Sequence, residues 1–257
     1  MSVTSTSYGY YVTPTGDADN EQVITTNRIR VRNFVFIPGS NNCVCGMTDN
    51  ATASNRTEIT LSNTSFETWT AGDNADPDDW VRSAIAGGTA TIAKESTIIQ
   101  DGSYSARLTC SDVTGAFALL SQTLSDLYIG KVLYAVGYAY GTAASKAYIG
   151  FGETYSGGSK YLSKANVTAS AWGIIKCAYV TGLATVPTGL KINCSVPKAT
   201  SSYFDNMKLY SGNLVYKMRG PVAGTSYVHN FGKNGTVFDG LRVIFDNSSD
   251  ELYIHVR

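Results

Sequence analysis

The sequence has little charge, and what it has is balanced: 20 lysines and arginines stand against 20 aspartates and glutamates, together 16% of 257 residues, with no run of either sign. Such a chain offers nothing to hold a phosphate backbone or an anionic bilayer, so nucleic acid and membranes are excluded as expected partners. Long apolar runs are missing as well, and none approaches the roughly 18 residues that span a bilayer. The opening segment, MSVTSTSYGYYVTPTGDADNEQ, holds neither a basic head nor an apolar signal core, which predicts a protein made in the cytoplasm that leaves, if at all, by assembly or lysis. Glu, Lys and Leu, the residues that fill surface helices, are scarce. There is no CxxC pair, and two histidines in the whole chain are too few to complete a zinc site around Cys43, Cys45, Cys110, Cys177 and Cys194. Cys110, Cys177 and Cys194 fall in alternating patterns and read as reduced, buried hydrophobes. Cys43 and Cys45 share a strand face, where a bridge between them would be strained.

Catalytic constellations are also absent. His229 and His255 sit in short strand-like stretches with no nucleophile elbow near them. Asp76, Asp78 and Asp79 flank Pro77 in a loop, where short acids shape turns. Gly87-Gly88 and Gly157-Gly158 are not followed by Lys-Ser/Thr, so there is no P-loop. The expectation is a protein that is not an enzyme.

What is abundant is Thr, Ser, Val, Tyr, Ile, Gly and Asn, the residues of strands and tight turns, which predicts an all-β fold. The Asn-x-Ser/Thr triplets at Asn50, Asn55, Asn63, Asn166, Asn193, Asn234 and Asn247 read as turn composition. The length suits two compact β domains, or one interrupted by an insertion. Residues 1–26, polar around a Tyr8–Tyr11 cluster, read as an N-terminal arm or edge segment. From Asn27 an alternating stretch, Ile29 to Ile37, ends at Pro38-Gly39-Ser40-Asn41-Asn42, with a second strand at 43–48 and a polar connector at 52–57. Two or three strands cannot form a stable sandwich alone. The missing strands are at the other end: 214–218, 226–231, 241–245 and 252–256. Residues 27–57 plus 213–257 therefore form one discontinuous β-sandwich, and residues 58–212 are inserted into it.

Within the insertion, landmarks follow one another: Asn63-Thr-Ser-Phe66-Glu67, Pro77-Asp-Asp-Trp80, Asp101-Gly-Ser-Tyr104-Ser-Ala-Arg-Leu108, Leu120-Ser-Gln122-Thr-Leu124 and Tyr203-Phe204-Asp205-Asn206-Met207. In this order, over about 150 residues, they resemble the carbohydrate-binding jelly rolls of the CBM4/9 and CBM22 type. The resemblance implies a jelly-roll β-sandwich, with Phe66, Trp80, Tyr104 and Leu108 in its core and a turn at Asp101-Gly102. It also implies a structural Ca2+ held by Glu67 and Asp205, with backbone carbonyls completing the oxygen shell a hard cation needs.

Sugar recognition needs aromatic faces to stack on a pyranose and polar groups for its hydroxyls. Tyr134, Tyr138, Tyr140 and Tyr148 lie at even spacings, so one alternating face could present them, with Trp172 or Tyr179 joining from a later strand. The outer segments, Arg28 to Gly39 and Gly235 to Ile244 with the terminal Leu-Tyr-Ile-His-Val, resemble small β-sandwich proteins among the structural proteins of tailed bacteriophages. That resemblance implies a virion protein decorating a capsid or tail, with major capsid or tail proteins and cell-surface glycans as partners. A homo-oligomer is expected, a trimer first. The other expectation is a free-standing carbohydrate-binding protein.

Overall fold

A computed structural model describes residues 2–6, 9–13, 21–39, 43–48, 56–155, 158–166, 168–181, 188–214, 216–232, 234–245 and 250–256. Tyr8, the 40–42 and 246–249 turn residues and most of the connector, 52–55, lie outside these. The described residues are β throughout.

In chain order the strands are β1 (Ser2–Thr6), β2 (Gly9–Thr13), β3 (Glu21–Ile37) and β4 (Cys43–Thr48), then β5 (Thr57–Ile59), β6 (Val81–Ile85), β7 (Ala90–Glu95), β8 (Ser105–Cys110) and β9 (Phe117–Thr123). They continue with β10 (Lys131–Gly141), β11 (Tyr148–Tyr155), β12 (Gly158–Ala165), β13 (Trp172–Val180), β14 (Gly189–Pro197) and β15 (Thr200–Asn213). The chain closes with β16 (Tyr216–Gly220), β17 (Tyr227–Asn230), β18 (Thr236–Phe245) and β19 (Glu251–Val256).

The two ends of the chain build one eight-stranded antiparallel sheet, here sheet A, in the order β1-β2-β19-β3-β18-β4-β16, with β17 also on β3. Residues 2–6 and 9–13, expected as an arm or edge segment, are an antiparallel hairpin bonded to β19. A side chain at Gly9 would stand 1.7 Å from the Ile254 carbonyl oxygen, so β2 lies close against β19. β17 and β18 behave as one strand with an excursion: Asn230 pairs with Asn33, Phe231 N–H donates to the Arg32 carbonyl, and pairing resumes at Thr236 opposite Val31. Gly232 and Gly235, at φ +79° and +65°, make that detour possible.

Sheet A is folded over its own core. β16 is hydrogen-bonded to β4, yet its Tyr216 ring stands 6.0 Å from Phe34 of β3 and 4.5 Å from His229 of β17. Phe34, Phe36, Met47, Phe245, Leu252 and Ile254 are buried in the space between. The smaller sandwich is thus made by one strongly coiled sheet, the consequence of strand twist accumulated over eight strands.

The middle of the chain forms a two-sheet sandwich. Sheet B runs β13-β10-β15-β8-β7 with β5 also on β15, and sheet C runs β12-β11-β14-β9-β6. Most successive strands change sheets, the jelly-roll pattern. Alternation sorts the side chains: Leu133, Ala135 and Ala139 of β10 face inward with Ile149 and Phe151 of β11, and Tyr179 stacks on Phe151 at 5.3 Å. Cys110, Cys177 and Cys194 are buried in this core, and burial pushes the Cys110 and Cys194 thiols up from their ordinary range.

The landmark residues divide by role. Phe66, Trp80 and Leu108 are in the core, whereas Tyr104 is half-buried beneath the Lys94 ammonium, 3.9 Å from its ring centre. Asn63 and Gln122 are staples. The Asn63 amide binds the Thr68 and Asp78 carbonyls, and the Gln122 amide exchanges two hydrogen bonds with the Ser62 backbone. Asn166 is buried and organises its loop through the Ala147 and Lys146 amides, so it acts as a structural amide.

The sheets of the two units meet at a bare position. A side chain on Gly46 of β4 would stand 2.4 Å from Val180 Cγ2 of β13, and Ile244 of β18 is buried in the middle unit's core cluster. Gly46→Ala should therefore cost about 1–3 kcal/mol through overpacking, and adding Val180→Ala should recover part of that loss. Chemical denaturation of the two single variants and the double variant checks this; strictly additive losses would show that the two positions do not interact.

Candidate functional site

The aromatic residues expected on one face are divided among three environments. Tyr134, Tyr138 and Tyr140 do share the outer face of sheet B, as their even spacing requires. The near half of this face is covered: Tyr134 is 3% exposed, with the Arg56 guanidinium 3.4 Å over its ring, and Ala178 and Val180 beside it are buried. The far half is open. There Trp172, Tyr140 and Tyr203 form a row across β13, β10 and β15, with Tyr138 and Ile174 in the row next to it. The rings meet edge to face, Tyr140 to Trp172 at 5.9 Å and 69°, and Tyr140 to Tyr203 at 5.5 Å and 87°. Successive rings are near-perpendicular, so they present no continuous flat platform. Tyr179 points into the core, where its hydroxyl donates to Glu153 at 2.5 Å.

Tyr148 is on the other side of the sandwich, on the outer face of sheet C, where its ring meets Phe117 at 5.9 Å and its hydroxyl donates to the Ser145 carbonyl. This face carries a trough. Gly150 and Gly152, two residues apart in β11, carry no side chains on this face, and at Gly150 the neighbouring β12 closes in, since a substituent there would stand 2.0 Å from the Leu162 carbonyl oxygen. Asn193 and Ser195 of β14 and Leu119 of β9 line the trough, with Ile85, Phe117 and Leu162 as walls around a recess of about 130 Å³. Ser121, paired with both Asn193 and Val81, leads into a second recess of about 360 Å³, lined by Thr60, Ser62, Asp79, Thr123 and Ser125 among others. One half is walled by apolar groups, and the adjoining half carries hydroxyls, an amide and one carboxylate.

Sequence reasoning missed Phe117, Asn193, Ser195 and Ser121, because small polar residues at alternate strand positions look like ordinary solvent-facing ones. Gly150-Phe-Gly152 marks a close backbone approach, made here by β12, and gives no signal for these residues.

Glu67 and Asp205 converge on one turn. Glu67 Oε1 accepts the Ser103 and Tyr104 N–H groups at 2.9 and 3.1 Å; Asp205 Oδ2 accepts those of Gln100 and Asp101 at 3.1 and 3.0 Å, and its Oδ1 that of Asn206. A bulge in β15 aims Asp205: Val136 pairs with Lys208 but Tyr138 with Asp205, and Asn206 takes φ +47°. The backbone of 100–104 can approach so closely because Gly102 lacks a side chain that would meet Glu67 at 2.3 Å. Three of the four oxygens of the pair accept backbone N–H groups, and among the described residues no group of three or more His, Cys, Asp or Glu could hold a metal. As arranged, these residues fit a turn clamp closed by amide hydrogen bonds rather than the all-oxygen shell of Ca2+.

Against known proteins, no family profile matches the chain, and no curated protein does. Solved structures give partial likenesses. The enzymatically active domain of bacteriophage CBA120 tailspike protein 4 is 18% identical at a TM-score of 0.43, over 60% of this chain and 21% of that one. The CBM22-1 xylan-binding domain of Paenibacillus barcinonensis Xyn10C is 16% identical at 0.43, over 58% and 92%. The family 11 carbohydrate-binding module of Clostridium thermocellum Lic26A-Cel5E is 15% identical at 0.42, over 59% and 93%. These are carbohydrate-binding modules and a phage protein, the two kinds of protein the sequence resembles, and such scores assign no activity to this chain.

Two outcomes are expected at the clamp. Chelation with EDTA should leave the melting temperature unchanged, whereas Asp205→Ala should cost about 1–3 kcal/mol for each buried amide it orphans; a melting temperature lowered by EDTA and restored by Ca2+ would put a cation there. The pH dependence has a defined sign. Burial raises the Asp205 carboxyl above its ordinary 3.8 despite the amide donors, so the native state keeps this proton to higher pH than the unfolded chain. Its contribution to stability is full below the unfolded value and is lost as the pH rises through the folded one. Denaturation of wild type and Asp205→Asn on either side of that window should show this loss in the wild type alone.

Proposed function

We propose that the chain is a non-catalytic structural protein of a phage particle, a capsid decoration or tail-associated protein, whose jelly roll binds cell-surface glycans in the trough of sheet C. The observation that carries this reading is the trough itself, in which apolar walls from Phe117, Ile85 and Leu162 adjoin a floor of Asn193, Ser195 and Ser121. A sugar presents the same combination, C–H faces that stack on apolar groups and hydroxyls that seek amides and hydroxyls. Asp79 is the one carboxylate lining either recess among the described residues, whereas glycoside hydrolysis ordinarily needs two facing each other. That supports the non-enzymatic reading as far as glycoside hydrolysis is concerned. The virion part rests on the phage-like pattern of the outer segments. Many copies on one particle would make weak sugar contacts effective.

A second reading places the glycan on the opposite side, at Trp172, Tyr140 and Tyr203 with Tyr138; it is favoured by the way three strands bring these rings into one row.

One experiment separates the two. Retention on immobilised glycans, or signal on a glycan array, should fall at least tenfold, about 1.4 kcal/mol, for Phe117→Ala with Asn193→Ala, and stay at the wild-type level for Tyr140→Ala with Trp172→Ala. The reverse pattern moves the site to sheet B. Wild-type protein that binds no glycan overturns sugar binding, and purified particles that lack the chain in electron cryo-microscopy density overturn the virion role in favour of a free-standing binder.

A further inference from the structure

An open sheet ends in strands whose outer N–H and C=O groups can pair with another chain, and proteins guard such edges with lysine, arginine, proline or a covering segment. Three open sheets here have six end strands, and two further strands are paired on one side only: β5, which carries Glu58, and β17, overlain by β16 with Tyr216 4.5 Å from His229. β16 carries Lys217 and Arg219, β13 Lys176, β7 Lys94, β12 Lys160 and Lys164, and β6 Arg82. The sixth, β1, is Ser-Val-Thr-Ser-Thr, with no charge, proline or glycine, and among the described residues no strand pairs its outer edge.

β1 is nevertheless held in place. It pairs with β2 over all five residues, β2 is pressed onto β19 at Gly9, and Val3 and Tyr10 pack against the core of sheet A. Thr4, opposite Tyr11, is exposed. A fixed, uncharged, β-branched edge strand is a preformed template, unlike the five guarded ones.

We infer that β1 is an interface strand and that its partner is β1 of a second copy of this chain, joined antiparallel about a two-fold axis at Thr4. Such an axis sets Thr4 opposite Thr4, Val3 opposite Ser5 and Ser2 opposite Thr6 of the other copy. The pairing is isologous, so each contact is made twice. It brings together hydroxyl and β-branched residues, which pair well across strands, and sets no like charges against each other. The result is one continuous sixteen-stranded sheet carrying two jelly rolls.

The test uses the full chain. Sedimentation velocity over a wide concentration range should show a dimer for the wild type and a monomer for Thr4→Lys, with unchanged circular dichroism because Thr4 is exposed in the single chain, and with a melting temperature that no longer rises with concentration. Thr4→Cys should form a disulfide-linked dimer on mild oxidation, since residues facing across an antiparallel pair come within bridging distance. This second variant decides the matter if Thr4→Lys fails to fold. A wild type that stays monomeric at every concentration overturns the inference, including the case where β1 serves a different protein. So does an oligomer that survives Thr4→Lys and does not cross-link through Thr4→Cys.

Discussion

The outer face of sheet B is too apolar at one end to be left in water, and the rest of the arrangement follows from how it is covered. Val132, Tyr134, Ala178 and Val180 line that end, and the eight-stranded sheet meets it where Gly46 has no side chain to hold the two apart. Arg56 completes the cover by lying across the Tyr134 ring, a cation over a π face. The inserted unit is therefore anchored on part of one face as well as through its two chain connections. That contact removes Tyr134 from any binding surface and leaves the far half of sheet B and the whole outer face of sheet C as the surfaces a ligand can reach.

The polar landmarks of the sequence serve a second constraint. A jelly roll changes sheets at almost every connection, so its loops leave many backbone amides and carbonyls that regular pairing does not satisfy. Asn63, Gln122 and Asn166 satisfy them as amides, and Glu67 and Asp205 as carboxylates turned on the 100–104 segment. The motif spacing that resembles carbohydrate-binding modules thus maps in this molecule onto cores and backbone clamps. The trough shares Asp79, Ser121 and Thr123 with those landmark segments and draws Phe117, Asn193 and Ser195 from elsewhere.

Some of this was legible in advance. Composition and alternation pointed to an all-β chain, and strand-like stretches at both ends, too few at the first end to make a sandwich alone, were read as one split unit. Two features of that unit were not legible. The hairpin of β1 and β2 is too short and polar to bury a face by itself, and it becomes a pair of strands because β19 offers its edge. Tyr138 and Tyr140 share a face by their spacing and Trp172 was expected from a later strand, but that β13 lies beside β10, and how the rings tilt, depends on packing. Tyr148 had the same even spacing and lies on the opposite sheet, since the chain crosses the sandwich between β10 and β11.

The sequence by itself determined the residue-level periodicity: which side chains of a strand point the same way, where turns fall, and that no helix or long apolar span is encoded. These are local properties, set by the two-residue repeat of an extended chain and by the conformational freedom of glycine. Only the tertiary structure decided which alternating faces meet solvent, because exposure depends on strands brought from distant parts of the chain. Gly46 clears one face for burial, Gly150 lets β12 close against β11 on another, and among the described residues the outer edge of β1 stays open.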